Sequence, residues 1–130
     1  MRTIDAPRER PAPQQYHART LTGDEIVGEL HGLTLVIAVK ADCDGCRLLL
    51  EAPAQAFGDI RLLFVAAESS DEPSWRLSTP PVVVSPELLR DLDVRWPPFW
   101  VLVDGDSGVV RAEGVPFGVE HVVEALTPFI

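Results

Sequence analysis

Two hydrophobic registers alternate along the chain. "LTLVIAV" (33–39) is a near-continuous β-branched run, the pattern of a strand buried on both faces, and "FWVLVD" (99–104) reads as another long strand. "DIRLLFVAA" (59–67) reads as a second buried strand, and "VVV" (82–84) as a short one. Helical spacing takes over in "GVEHVVEALTPFI", which predicts an amphipathic helix with Val119, Val122, Val123 and Leu126 inward. "SPELLRDLDV" predicts a helix with Ser85 as N-cap and Pro86 in its first position. "CRLLLEAPAQAF" predicts a helix that Pro53 kinks or ends. "LTGDEIVGELHG" predicts another, capped by Thr22 or Asp24, with Ile26, Val27 and Leu30 on one side and Gly32 at its end. "ESSDEPSWRLSTPP" (68–81) reads as a polar loop, and "GDSG" turns the chain into "VVRAEGV", the second half of a hairpin. Strands joined by helices imply a central parallel portion, to which the hairpin adds antiparallel strands. The expected class is α/β: a mixed central sheet of about 4–5 strands flanked by helices on both faces.

Residues 1–20 hold three prolines and scattered apolar positions. They read as a flexible tail resting on the body through Ile4 or Tyr16, leaving 21–130 as one domain. With 46% hydrophobic and 24% charged residues, the 130-residue chain can build a packed core and is not globally disordered. No apolar run nears the roughly 20 residues needed to span a bilayer. "MRTIDAPRERPAPQQYHART" lacks the apolar segment of a secretory signal, so a cytoplasmic location without membrane contact is expected. The net charge is -9, and Arg2, Arg8, Arg10 and Arg19 make the first twenty residues basic, so the acidity lies in the body. Phosphate-backbone binding needs clustered Lys or Arg, which excludes nucleic acid as a partner.

Charge and composition leave the chemistry to two residues. Cys43 and Cys46 are the only cysteines, and they form a CxxC directly after an apolar run. They are a redox pair, half of a metal site, or two small buried side chains. As a structural staple the pair closes too short a loop to constrain the unfolded chain much. A zinc site needs two further ligands, and His17, His31 and His121 lack ligand spacing, so neither a metal nor another cofactor is expected. The pairs Asp91/Asp93 and Asp104/Asp106 read as helix-end and turn residues, and His121 as a solvated helix residue.

The element order, with a CxxC at the end of the first long strand, resembles the thioredoxin fold over about residues 21–130. "PPVVVSPELLRDLDVRWPPFWVLVDGDSGVVRAEGVPFGVEHVVEAL" is similar to the second half of thioredoxin-like disulfide reductases of the TlpA and DsbE type. In those proteins a short strand and a helix lead to a "V-x-x-x-P" segment, a strand, an Asp-Gly turn and a final helix. The resemblance puts Pro98 at the family's cis-proline; without it, Pro97-Pro98 would read as a plain helix-breaker. Four departures stand out. Asp42 replaces the usual Trp before the first cysteine. Ile37 and Phe64 replace a buried acid and its lysine. Pro53 lies seven rather than five residues after Cys46. Pro97, before the cis-proline position, has no N–H to offer a bound peptide, though its carbonyl remains.

In this setting Cys43 stands at a helix N-terminus, where unpaired N–H groups and the helix dipole favour a thiolate, the species that attacks a disulfide. Cys46, one turn further in, is the candidate resolving thiol. Asp42 and Asp44 oppose the thiolate unless Asp42 serves as the N-cap; Lys40, the single lysine, offsets part of their charge. Gly45 allows a tight turn and leaves room for a partner. Trp100 is expected in the core with Pro98 on its face of the strand, and Trp96 is a candidate to line the site or to pack in the core. The expected function is thiol–disulfide oxidoreduction. Cys43 and Cys46 are its catalytic residues, and Asp44, Gly45, Trp96, Pro97 and Pro98 bind the substrate. The partners are a protein or small-molecule disulfide or thiol and an unidentified electron donor. The alternatives are a thioredoxin-fold accessory or binding protein and a redox sensor with little general reductase activity.

Overall fold

The computed structural model describes residues 10–129. Its elements run β1 (Arg10–Pro11), β2 (Gln15–Arg19), β3 (Glu25–Glu29), β4 (Leu33–Val39), α1 (Asp44–Leu50), β5 (Arg61–Ala66), α2 (Pro73–Leu77), β6 (Val83–Val84), α3 (Pro86–Asp91), β7 (Phe99–Asp104), β8 (Val109–Gly114) and α4 (Val119–Leu126). Single 3-10 turns occupy Ala54–Phe57 and Thr127–Phe129. The strands form one sheet in the order β1-β8-β7-β4-β5-β6-β2-β3. β4, β5 and β6 run parallel; every other neighbouring pair is antiparallel.

β4 is central because it is apolar on both sides. Leu35, Ile37 and Val39 point into one core layer with Cys46, Leu49 and Leu50 of α1, Trp75 of α2, and Val122 and Leu126 of α4. Val36 and Ala38 point into the other, with Leu88 and Leu89 of α3, Val101, Val103 and Val110. Residues 35–39 are all buried, and burying each of Leu35, Val36, Ile37 and Val39 is worth roughly 1.5–3 kcal/mol of transfer free energy. Helices thus cover both faces, as the continuous apolar runs predict.

The sheet exceeds the expected strand number: among the described residues it has eight strands, because the N-terminal segment contributes three. Arg10–Pro11 pairs with β8, and Gln15–Arg19 pairs with both β3 and β6, so these residues are part of the sheet and not of a tail. Residues 1–9, including Ile4, lie outside the described residues. Tyr16 does rest on the body, half-buried against the α3-side core. The helix expected around Ile26 is instead strand β3. Glu25, Val27 and Glu29 are exposed while Ile26 and Gly28 are half-buried, an alternation of period two. Gly28 hides that alternation in the sequence, since the Tyr16 ring fills the space of its missing side chain: a Cβ at Gly28 would lie 2.1 Å from Tyr16 Cζ. The loop expected at 68–81 contains α2, whose Trp75 is buried.

Candidate active site

β4 ends at Val39, and after Lys40 and Ala41 the chain turns into α1. Asp42 takes a left-handed conformation (φ 56°), which Asp visits more readily than most residues because its short polar side chain can hydrogen-bond locally. Cys43 follows as the N-cap of α1, with extended φ and ψ of -127° and 107°. Its Sγ accepts the Cys46 N–H at 3.1 Å, and its carbonyl accepts the Arg47 N–H at 3.0 Å. The cap is therefore the cysteine, not Asp42; the Asp42 N–H donates instead to Glu72 Oε2 at 2.8 Å. Cys43 and Cys46 are joined by a disulfide, with Cα atoms 5.2 Å apart. Cys43 is half-buried while Cys46 is 1% exposed, so the outer sulfur belongs to Cys43.

The flanking residues differ in their surroundings. Asp44 is exposed and lies 3.5 Å from Arg47, one turn on. Gly45 sits in the helix without a positive φ, and a Cβ added there would meet nothing within 4 Å. The tight turn expected of Gly45 is not required, and the space above it is open.

The other predicted residues arrive through the sheet. β7 pairs with β4 so that Phe99 lies opposite Ala38, which brings Pro98 level with Val39 at the end leading to Cys43. The Pro97–Pro98 peptide bond is cis, and both prolines are half-buried. Trp100 lies opposite Ile37, is buried, and packs in the core layer that contains Cys46; its Nε1–H has no acceptor among the described residues. Trp96 is 77% exposed, so packing in the core is not its role. β8 returns so that Gly114 pairs with Trp100, and Val115–Phe117 therefore emerge at the same end of the sheet. Phe117 is also 77% exposed, with its ring edge-on to His121 at 5.2 Å. No sequence pattern pointed to Phe117; a large apolar residue in a "VPFG" turn was the only signal.

Beneath the cysteines the row across the sheet is Phe64, Ile37 and Trp100, with no ionisable side chain. Among the described residues the buried polar side chains are Thr34, Ser78 and Ser85. No group of three or more His, Cys, Asp or Glu that could hold a metal ion occurs among them.

Neither a family profile nor a curated protein matches the sequence. Solved structures do. The thioredoxin domain of a thiol-disulfide oxidoreductase from Bacteroides vulgatus superposes with a TM-score of 0.67 at 16% identity, covering 98% of this chain and 99% of that one. A thiol:disulfide interchange protein from Bacteroides sp. gives 0.65 at 17% identity, over 94% and 89%. The exposed lipoprotein thioredoxin Etrx1 of Streptococcus pneumoniae gives 0.62 at 17%, over 88% and 99%. The chain has a thioredoxin-like fold. Its departures from the usual thioredoxin-like pattern are structural facts as well as sequence ones: Asp42 before the first cysteine is held by its main chain, and the Ile37 and Phe64 positions are sealed by hydrocarbon.

Proposed function

We propose that this thioredoxin-like protein is a thiol–disulfide oxidoreductase that uses Cys43 and Cys46. The observation that carries the proposal is the asymmetry of the pair. The half-buried Cys43 sulfur receives a main-chain N–H, whereas Cys46 is sealed beneath it. An N–H aimed at sulfur favours the thiolate. In the reduced protein the Cys43 thiolate attacks one sulfur of a substrate disulfide. The substrate S–S bond breaks, one substrate thiolate leaves and takes a proton from solvent, and a mixed disulfide forms. The Cys46 thiolate then attacks Cys43 Sγ, breaks the mixed disulfide and releases the second substrate thiol. Two electrons have passed to the substrate, and a dithiol donor must return them; run backwards, the same steps oxidise a substrate dithiol.

The substrate side is supported by the exposed Trp96 and Phe117 at this end of the sheet and by half-buried Pro97, whose carbonyl is an acceptor that a peptide N–H can use. These features suit a protein disulfide. Asp42, and Asp44 only partly offset by exposed Arg47, oppose the thiolate and suit a reducing poise. Wild-type protein is expected to show a defined reduction potential and to reduce insulin disulfides, with Cys43→Ser falling to the uncatalysed background. Cys46→Ser is expected to trap a mixed disulfide visible by mass spectrometry. Insulin reduction by Cys43→Ser equal to wild type overturns the proposal.

A second reading is favoured by the apolar row beneath Cys46. Without a buried carboxylate to take its proton, Cys46 resolves slowly, as suits an accessory protein or redox sensor bound to one partner. A long-lived mixed disulfide with wild-type protein, and negligible insulin turnover, would favour this reading.

A further inference from the structure

The residue before the nucleophile is held by a carboxylate from the loop between β5 and α2. Asp42 carries the left-handed turn out of β4, and its N–H donates to Glu72 Oε2 at 2.8 Å. The same oxygen accepts the Ser70 hydroxyl at 3.3 Å, and the Glu72 N–H donates to Ser70 Oγ at 3.2 Å. Glu72 is thus fixed from its own loop before it reaches across to α1. It stands directly before Pro73, at the N-cap position of α2, yet its side chain makes no capping bond there. Glu is also outside the group of residues that cap helices well. Its carboxylate serves the neighbouring turn instead.

We propose, on the oxidoreductase reading above, that Glu72 is the positioning residue of Cys43. By gripping the Asp42 amide it fixes the turn from which Cys43 leaves β4, and so sets the direction of the outer sulfur. It does this with a negative charge, which also opposes the thiolate. The charged groups on the segments that meet there are Lys40 and Asp42 on the approach to α1 and Asp44 at its first position, paired with Arg47 at 3.5 Å. Glu68, Asp71 and Glu72 come from the β5–α2 loop, Arg76 of α2 donates back to Asp71 O at 3.4 Å, His121 comes from α4, and Arg95, paired with Asp93 at 3.3 Å, from the segment before β7. Of these, only Glu72 carries a carboxylate bonded to the main chain next to the cysteine.

Geometry and charge separate experimentally, because Gln keeps an oxygen acceptor and loses the charge. In single-turnover exchange with oxidised glutathione, reduced Glu72→Ala is expected to react about tenfold more slowly than wild type, the loss expected for one charge-assisted hydrogen bond. Glu72→Gln is expected to restore most of that rate. In iodoacetamide alkylation of Cys43 followed from pH 5 to 10, Glu72→Gln is expected to have its midpoint at lower pH than wild type. Thermal unfolding of both variants separates these effects from a loss of folding. Equal slowing in Glu72→Ala and Glu72→Gln, or slowing in neither, overturns the proposal. If wild type exchanges no faster than Cys43→Ser, the oxidoreductase reading fails. The alkylation profile, which needs no disulfide substrate, then decides Glu72 alone, and superimposable wild-type and Glu72→Gln profiles reject its role.

Discussion

Gly105 occupies a position where the fold admits no side chain. It is buried in the turn between β7 and β8, where its N–H donates to Gly32 O at 2.8 Å and its carbonyl accepts from Gln14 Nε2 at 2.9 Å. A Cβ there would lie 1.8 Å from Leu30 O and 2.2 Å from Leu30 C, both main-chain atoms that cannot swing aside. Gly105→Ala is therefore expected to cost about 3 kcal/mol, seen as a lowered urea midpoint with unchanged slope; a loss within experimental error would show that Leu30 can retreat. Residues of the site differ in how visible they are for a similar local reason. Cys43 and Cys46 are legible because one helical turn supplies their whole relationship. Glu72 is not, because its partner lies 30 positions away and only the β5–α2 loop brings them together. The sequence did hold a weak cue: an acid before a helix-opening proline that is not a good cap for that helix.

At the level of elements, Ser85 ties three of them together. Fully buried, it caps α3 by accepting the Leu88 N–H at 3.2 Å, and its hydroxyl donates to His17 O in β2 at 2.5 Å. Its own N–H returns to Ala66 O at the end of β5. Ser85→Ala removes the cap of α3 and the hydroxyl that donates to His17 O, so a loss of about 2 kcal/mol is expected. The loss should be accompanied by faster amide exchange in both α3 and β2; faster exchange in α3 alone would mean that the link to β2 contributes nothing. The elements legible in the sequence were those whose pattern is sustained. β4 and β7 run within the predicted bounds because an unbroken β-branched stretch has one solution when buried on both faces. β3 was misread because Ile26, Val27 and Leu30 also satisfy helical spacing. Its pairing with β2, a tertiary fact, outweighs that local preference. The short α2 escaped notice because five residues carry no measurable periodicity, although Pro73 and Trp75 now explain its start and its anchor.

Over the whole molecule, alkaline stability singles out one group. The chain has a single tyrosine and a single lysine, and its cysteines do not titrate while paired. Burial pushes the Tyr16 hydroxyl above its usual value of 10.0, with Arg61 pulling it part of the way back. The unfolded chain then ionises first, so this contribution to stability is complete below about pH 10 and is lost as pH rises through the folded value. Tyr16→Phe is expected to flatten the fall of the urea midpoint between pH 9 and 11, while an unchanged slope would clear Tyr16 of the effect. The arrangement of the sheet has one more outcome. Its two outermost strands, β1 and β3, both come from residues 10–29, so one short stretch of chain hems both sides of a sheet whose inner strands, β2 apart, come later. On the β3 side, two molecules meeting edge to edge with Val27 opposite Val27 would set Glu25 of one against Glu29 of the other. The acidity that leaves this protein at -9 thus also disfavours growth of its sheet past β3 into a neighbouring copy.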